Sequence, residues 1–205
     1  MRQSAKRRRA PDVLTAEEIG KLLSELRGPW RTAVYVAVIT GLKVSELLGL
    51  KWADLDFAAG EIRLCRGIVH QYIGEMKTET SRKPVPMDAG LADVVTRWRG
   101  IAPYNQDRDY IFASPTRMVS SPIGRMLRYH IRPAAQRATF GTLVSGEGAD
   151  VATTQSLMRH ANVSITMDKY VQAVTPAKRD AQSRIVKVIP FPNVPTRLTE
   201  GSVTG

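Results

Sequence analysis

Apolar positions along this chain recur with two different periods, and the change of period marks out its elements. Ile19, Leu22, Leu23 and Leu26 lie at the spacing of one helix face. Thr15-Ala-Glu-Glu18 just ahead of them has the form of a capping box, so a helix is predicted to begin shortly after Pro11. Ala33, Val34, Ala37 and Val38 predict a second, buried helix, and residues Ser45 to Leu50 a third. Gly41 supplies the break between these two, which puts Lys43 at the start of the third. The pattern then changes to alternation: Glu61-Ile-Arg-Leu-Cys65 reads as a strand, and a further run from Ile68 to Ile73 leads to a hairpin tip expected at Gly74 to Lys77.

Helical spacing returns at Leu91, Val94, Val95 and Trp98. Residues Pro103 to Asp109 read as a loop and Tyr110 to Ala113 as a short extended piece. Ser121-Pro122 opens a helix expected to run through Arg125, Arg128 and Arg132. Thr175-Pro176 has the N-cap and first-turn arrangement of a last helix, whose modest apolar face is Ala177, Ala181 and Ile185. The expected fold class is α+β, mainly helical, with one small three-stranded antiparallel sheet. Its expected organisation is a flexible basic arm at 1–13, one domain at 14–189 and a disordered, proline-containing tail at 190–205.

Composition adds a polyanionic partner to this picture. Thirty Lys and Arg against 19 Asp and Glu give a formal charge of +11 and an isoelectric point near 10.1. Five of the cations, Arg2, Lys6, Arg7, Arg8 and Arg9, fall in the first nine positions, yet the remainder still carries 25 against 19. The excess therefore belongs to the domain as well as to the arm, although composition alone does not separate DNA from RNA. A lone Cys65 excludes an internal disulfide framework, and His70, His130 and His160 lack metal-ligand spacing, so neither metal nor cofactor is expected. No apolar run is long enough for a membrane span, and the basic start lacks the apolar segment of a secretory signal, so a cytoplasmic protein is expected.

Three segments carry candidate chemistry. The first is Thr40-Gly-Leu-Lys43-Val-Ser-Glu46-Leu-Leu-Gly-Leu-Lys-Trp52-Ala-Asp54-Leu-Asp56, the second Gly74-Glu-Met-Lys77-Thr-Glu-Thr-Ser-Arg82-Lys83-Pro-Val-Pro, and the third Leu157-Met-Arg159-His160-Ala-Asn-Val-Ser-Ile-Thr-Met-Asp-Lys-Tyr170. Together and in this order they resemble the boxes of the tyrosine recombinases, the phage integrase family. The resemblance extends over about Leu14 to Ala177, the extent of a recombinase catalytic domain. No N-terminal module of the kind that completes a clamp on DNA is expected ahead of it.

The resemblance implies site-specific breakage and rejoining of double-stranded DNA through a 3′-phosphotyrosine. Tyr170 would be the nucleophile, which splits strand transfer into two reversible steps. Lys77 would protonate the leaving 5′ oxygen, and His160 would assist at the scissile phosphate. Lys43 occupies the place of the first-box arginine, keeping the charge but losing the bidentate guanidinium. Glu46, at i+3, would orient it. Arg2, Lys6, Arg7, Arg8, Arg9, Arg82, Lys83 and Arg159 are the further candidates for DNA contact.

The second box departs from the family's His-x-x-Arg pattern, and two readings of Ala134-Ala-Gln-Arg137-Ala138-Thr139-Phe140 stay open. Ungapped, Arg137 takes the arginine's place and Ala134 the histidine's. Alternatively, Ala138 ends one helix and Thr139 begins the next, a connecting loop having been lost together with both catalytic residues. Removing one transition-state donor costs roughly a hundred- to a thousandfold in rate, so impaired catalysis is expected. A catalytically inactive DNA-binding remnant and a type IB topoisomerase-like relaxation activity are the alternatives. Residues 171–189 are expected to support homo-oligomerisation on DNA.

Overall fold

The computed structural model describes residues 13–69, 72–75, 82–116, 121–129, 133–147, 149–158, 176–189 and 191–192. The basic arm expected at 1–13 lies outside them apart from Val13, as does the tail from 193 onward. Among the described residues, the chain runs α1 (Ala16–Glu25), α2 (Gly28–Thr40), α3 (Val44–Gly49), a 3-10 turn (Trp52–Asp54), β1 (Leu55–Asp56), β2 (Glu61–Ile62), β3 (Arg66–Val69), β4 (Tyr72–Glu75) and β5 (Val85–Pro86). Then follow α4 (Ala89–Ile101), α5 (Ser121–Tyr129), α6 (Pro133–Gly146), α7 (Val151–Met158) and α8 (Pro176–Val188). No described helix is long and apolar enough to cross a membrane.

The domain is built around α2. Every residue from Arg31 to Thr40 is buried, so this helix is covered on all sides, as its near-continuous apolar run requires. Helices α1, α3, α4, α5, α6 and α8 pack around it, and each fully buried Val or Ile contributes roughly 1.5–3 kcal/mol. Arg31 is tolerated because its Nε donates to the Leu26 carbonyl at 2.6 Å, just past the last turn of α1, where the helix dipole favours a cation. Burial nonetheless pushes its pKa down.

The capping box predicted at Thr15 is present in both directions: Glu18 N–H donates to Thr15 Oγ1 at 3.2 Å, and Thr15 N–H to Glu18 Oε2 at 2.8 Å. Gly41 ends α2 in the left-handed region at φ 64°, as its position between two helices predicts. Helix α4 buries Leu91, Val94, Val95 and Trp98, the four residues of the predicted stripe. Helix α8 likewise buries Ala181 and Ile185.

The three-stranded antiparallel sheet is present, in the order β1-β2-β5, with Ile62 opposite both Leu55 and Val85. The alternating run at 68–73 forms a separate two-stranded ribbon, β3-β4, and the strand expected over 61–65 keeps sheet pairing only at Glu61 and Ile62. In the ribbon Val69 pairs with Tyr72 and Gly67 with Gly74, so the chain reverses between Val69 and Tyr72 and not at Gly74. Alternation alone fixes which residues share a face but not where a strand folds back.

Two further expectations are corrected, at 110–113 and at Phe191. Helix α5 is described from Ser121 to Tyr129, and Arg132, through which it was expected to run, lies outside the described residues. The piece expected to be extended at 110–113 is a turn at Ile111 and Phe112 between two bridge residues, Tyr110, which pairs with Lys51, and Ala113. Helix α6 runs unbroken from Pro133 to Gly146, through the Ala138–Thr139 junction, which is compatible with the ungapped reading and equally with two helices joined by loss of their connecting loop. No Pro or Gly separates Ala134 from Phe140 to interrupt it. Phe191, in the segment expected to be disordered, meets Tyr35 edge-on with ring centroids 5.0 Å apart.

Candidate functional site

Four elements meet around the first candidate segment. Thr40 shapes the exit from α2: its Oγ1 donates to the Val36 carbonyl at 2.5 Å and accepts from Leu42 N–H at 3.3 Å. Gly41 follows, and a Cβ built there would stand 2.5 Å from Cδ1 of Phe140 on α6. The chain then enters α3 at Lys43, the residue before its first turn. The aromatic side chain of the altered second box, Phe140, is thus wedged beneath the loop that presents Lys43. Thr139, fully buried beside it, accepts Leu14 N–H at 3.0 Å and ties the start of α1 to the same helix.

Lys43 keeps 47% of its side chain in solvent, whereas the Glu46 side chain keeps 2%. Glu46 Oε2 accepts Lys43 N–H at 2.8 Å, and Oε1 stands 3.8 Å from Lys43 Nζ. One buried carboxylate therefore fixes the backbone of Lys43 and lies within ion-pair range of its ammonium, as its i+3 position predicts. A half-exposed cation held this way can meet an anion arriving from solvent, as a single point charge and not as a fork.

The β3-β4 ribbon is fastened beside this pair. Arg66 Nη1 donates to Asp54 Oδ2 at 2.6 Å and to the Gly49 carbonyl at 3.1 Å, and Nη2 donates to Asp54 Oδ1 at 3.3 Å. Asp54 also accepts Lys51 N–H at 2.8 Å, which closes the 3-10 turn. Gly49 lets β3 approach, since a Cβ there would lie 2.7 Å from the Arg66 carbonyl oxygen. The ribbon that leads to Lys77 is thereby locked to the helix that begins at Lys43. Sequence reasoning missed this anchor: Asp54 stands within the first box, but nothing marks Arg66 as its partner. Beside it, burial and then the Asp54 charge raise the pKa of Cys65.

Of the candidate residues, the structure brings together Lys43 and Glu46. Arg82 is exposed and Lys83 half-buried, immediately before β5. Arg137 stands on α6 one turn ahead of Phe140, and its side chain lies outside what the structure describes. Lys77, Arg159, His160 and Tyr170 lie outside the described residues, as do Arg2, Lys6, Arg7, Arg8 and Arg9. Helix α7, which the sequence reading did not anticipate, is described as far as Met158, two residues before His160 in the sequence. Its start is capped by Asp150, which accepts Thr153 N–H and Oγ1–H, each at 2.8 Å, and these bonds hold its carboxyl below the usual range. Among the described residues no cluster of His, Cys, Asp and Glu could hold a metal ion.

A buried core helix leading through Gly41 to an anchored cation, with a small sheet and ribbon beside it, is the architecture of a tyrosine recombinase catalytic domain. The chain belongs to the phage integrase family, whose model matches residues 12–175. A tyrosine recombinase of Pseudothermotoga lettingae is 28% identical, the match covering 88% of this chain and 63% of the relative. Tyrosine recombinase XerA of Thermococcus kodakarensis is 27% identical, with 86% and 64% covered. Among solved structures, the Tn1549 transposon integrase in complex with a circular intermediate DNA superposes with a TM-score of 0.65 at 23% identity, covering 89% of this chain and 68% of that one. The chain spans between 52% and 64% of the length of the curated relatives it matches.

Proposed function

We propose that this chain cuts and rejoins double-stranded DNA at specific sites, with Tyr170 as nucleophile. The Tyr170 hydroxyl gives up its proton to solvent as its oxygen attacks the scissile phosphorus, the bond to the 5′ oxygen breaks, and Lys77 supplies the proton that the leaving oxygen takes. Lys43, Arg137 and His160 face the phosphate, and rejoining reverses the step when a 5′ hydroxyl attacks the phosphotyrosine. The observation that carries this reading is the Lys43–Glu46 pair, an anchored, half-exposed cation at the first-box position. The DNA-bound state of the Tn1549 integrase, whose fold this chain shares, supports DNA as the partner. Assembly of several copies on DNA through residues 171–189 belongs to the same proposal.

A second reading, a DNA-binding domain without cleavage, is favoured by one observation. Helix α6 is continuous across Ala138 and Thr139, so no loop at that point carries a second-box histidine and arginine. A nicked duplex that traps the cleaved state separates the two. Covalent protein–DNA adduct supports the enzyme, and salt-sensitive binding without adduct supports the binding domain.

A further inference from the structure

The chain reaches Lys77 from the fastened end of the β3-β4 ribbon. Arg66 pairs with Glu75 there, and Lys77 comes two residues later, so the Cα atoms of Glu75 and Lys77 are at most about 7 Å apart. In the other direction Lys77 stands eight residues before Val85, which is buried and pairs with Ile62 in the three-stranded sheet. Of the two fixed points that bound this stretch of chain, the Arg66–Glu75 pair therefore holds Lys77 on the shorter tether. The placement of that pair sets the space Lys77 can reach.

Arg66 grips the helix that begins at Lys43 in two ways. Its Nη1 donates both to Asp54 Oδ2 and to the Gly49 carbonyl, and its Nη2 donates to Asp54 Oδ1. Its own carbonyl oxygen lies so close to Gly49 that a Cβ there would stand at 2.7 Å, so β3 runs against the backbone of the last residue of α3. A fork onto a buried carboxylate fixes direction as well as distance, which a lysine in its place could not do. Glu46 anchors Lys43 at the start of the same six-residue helix, which is roughly 9 Å long. Lys43 thus hangs from one end of α3, and the strand end that leads to Lys77 is clamped to the other.

We propose that Arg66 is a positioning residue for the proton donor: its fork to Asp54 and Gly49 fixes the strand end from which Lys77 reaches the leaving 5′ oxygen. This rests on the reading of Lys77 as the acid of a DNA-cutting step and adds the residue that aims it. Arg66 acts through Lys77 and not on the DNA. A proton donor works only within hydrogen-bond reach of its target, and a displacement of about 1 Å can cost roughly a hundredfold in rate. Loss of the fork is therefore felt in proton transfer to the leaving group and not in the attack by Tyr170.

The test changes the leaving group. The whole wild-type chain is incubated with a mixed-sequence pool of nicked duplexes, and the DNA recovered in covalent adducts identifies the phosphate it cuts. Two duplexes of that sequence are then compared, one with the ordinary bridging 5′ oxygen and one with sulfur in its place. In both, a bond forms between phosphorus and the Tyr170 oxygen. With oxygen the P–O5′ bond breaks and the leaving oxygen takes a proton from Lys77. With sulfur the P–S5′ bond breaks and the sulfur departs with the bonding pair as a thiolate, which needs no proton because a thiol is far more acidic than an alcohol.

Arg66→Ala should slow cleavage of the oxygen duplex by about tenfold or more relative to the sulfur duplex, and Asp54→Asn, which weakens the same fork at nearly constant volume, should shift the ratio in the same direction. In a Lys77→Ala background Arg66→Ala should leave the ratio unchanged, since the residue it aims is gone. Both duplexes are cut by the same preparation, so an unfolded fraction lowers the two rates equally and does not move their ratio. Equal slowing on both duplexes, no slowing on either, or a ratio that Arg66→Ala still shifts without Lys77 overturns the positioning role and leaves the DNA-cutting reading standing. A wild type that forms no adduct from the pool removes both.

Discussion

Gly41 and Phe140 touch so closely that a methyl group on the glycine would stand 2.5 Å from the ring. The contact joins the loop before Lys43 to α6, and it comes at a residue whose φ is 64°. Two independent costs therefore fall on Gly41→Ala: about 1–2 kcal/mol for a left-handed alanine and about 1–3 kcal/mol for forcing a methyl into packed space. The expected loss of roughly 2–5 kcal/mol is measurable by urea denaturation. Adding Phe140→Leu should recover the packing part and not the backbone part, so a double variant no more stable than Gly41→Ala would contradict the contact.

Arg66 and Asp54 hold the ribbon to the domain. Arg66→Ala leaves a largely buried carboxylate with the Lys51 N–H in place of a guanidinium fork. A fully buried pair broken this way loses about 3–5 kcal/mol, and the partial solvent access of Arg66 reduces the expected loss to roughly 2–3 kcal/mol. Hydrogen exchange should rise at the amides of β3 and β4 and stay unchanged in α2. Equal loosening of both regions would show that the pair supports the core and not the ribbon.

Much of this arrangement is legible from sequence because it is local. The Thr15–Glu18 cap, the stop at Gly41 and the stripe on α4 each follow from spacings within a few residues. The site is less legible because its supports are distant in the chain. Arg66 reaches Asp54 across twelve positions, and Leu14 N–H reaches Thr139 across 125. The reversal of the ribbon between Val69 and Tyr72 depends on register, which two equivalent alternating runs do not specify. Asp150 ahead of Val151 was an available N-cap signal for α7, but Val151-Ala-Thr-Thr has no apolar stripe to draw attention to it.

Acid should weaken the turn that follows β1. Asp56 accepts Ala59 N–H at 2.9 Å and pairs with Arg63, and both bonds hold its carboxyl below the ordinary range. A carboxyl whose pKa is depressed on folding stabilises fully above its unfolded value, about 3.9, and that contribution is lost as pH falls through the folded value. The melting-temperature gap between wild type and Asp56→Asn should therefore be largest near neutrality and close below about pH 4. A gap that stays constant with pH would mean that the charge contributes nothing there.

Lys43→Arg would supply the guanidinium that the resemblance to the family implies at this position. Glu46 is already placed to receive it, and a fork donates two hydrogen bonds to a phosphate where an ammonium gives a point contact. Cleavage by the arginine variant should exceed that of wild type by about tenfold or more, within the range spanned by single transition-state donors. Its affinity for intact duplex should change little. A variant that binds DNA more tightly without cutting faster would place Lys43 in general phosphate binding.

The most direct measurement is covalent trapping on a nicked duplex, in which release of a short 5′ fragment prevents rejoining. Wild type, Lys43→Arg and Tyr170→Phe are compared, and any adduct is digested and its modified peptide sequenced. The predicted result is a denaturation-resistant adduct carrying the DNA on Tyr170, more abundant with Lys43→Arg and absent with Tyr170→Phe. An adduct that persists in the phenylalanine variant, or salt-sensitive binding by all three proteins with no adduct, would contradict Tyr170 as the nucleophile of a DNA-cutting enzyme.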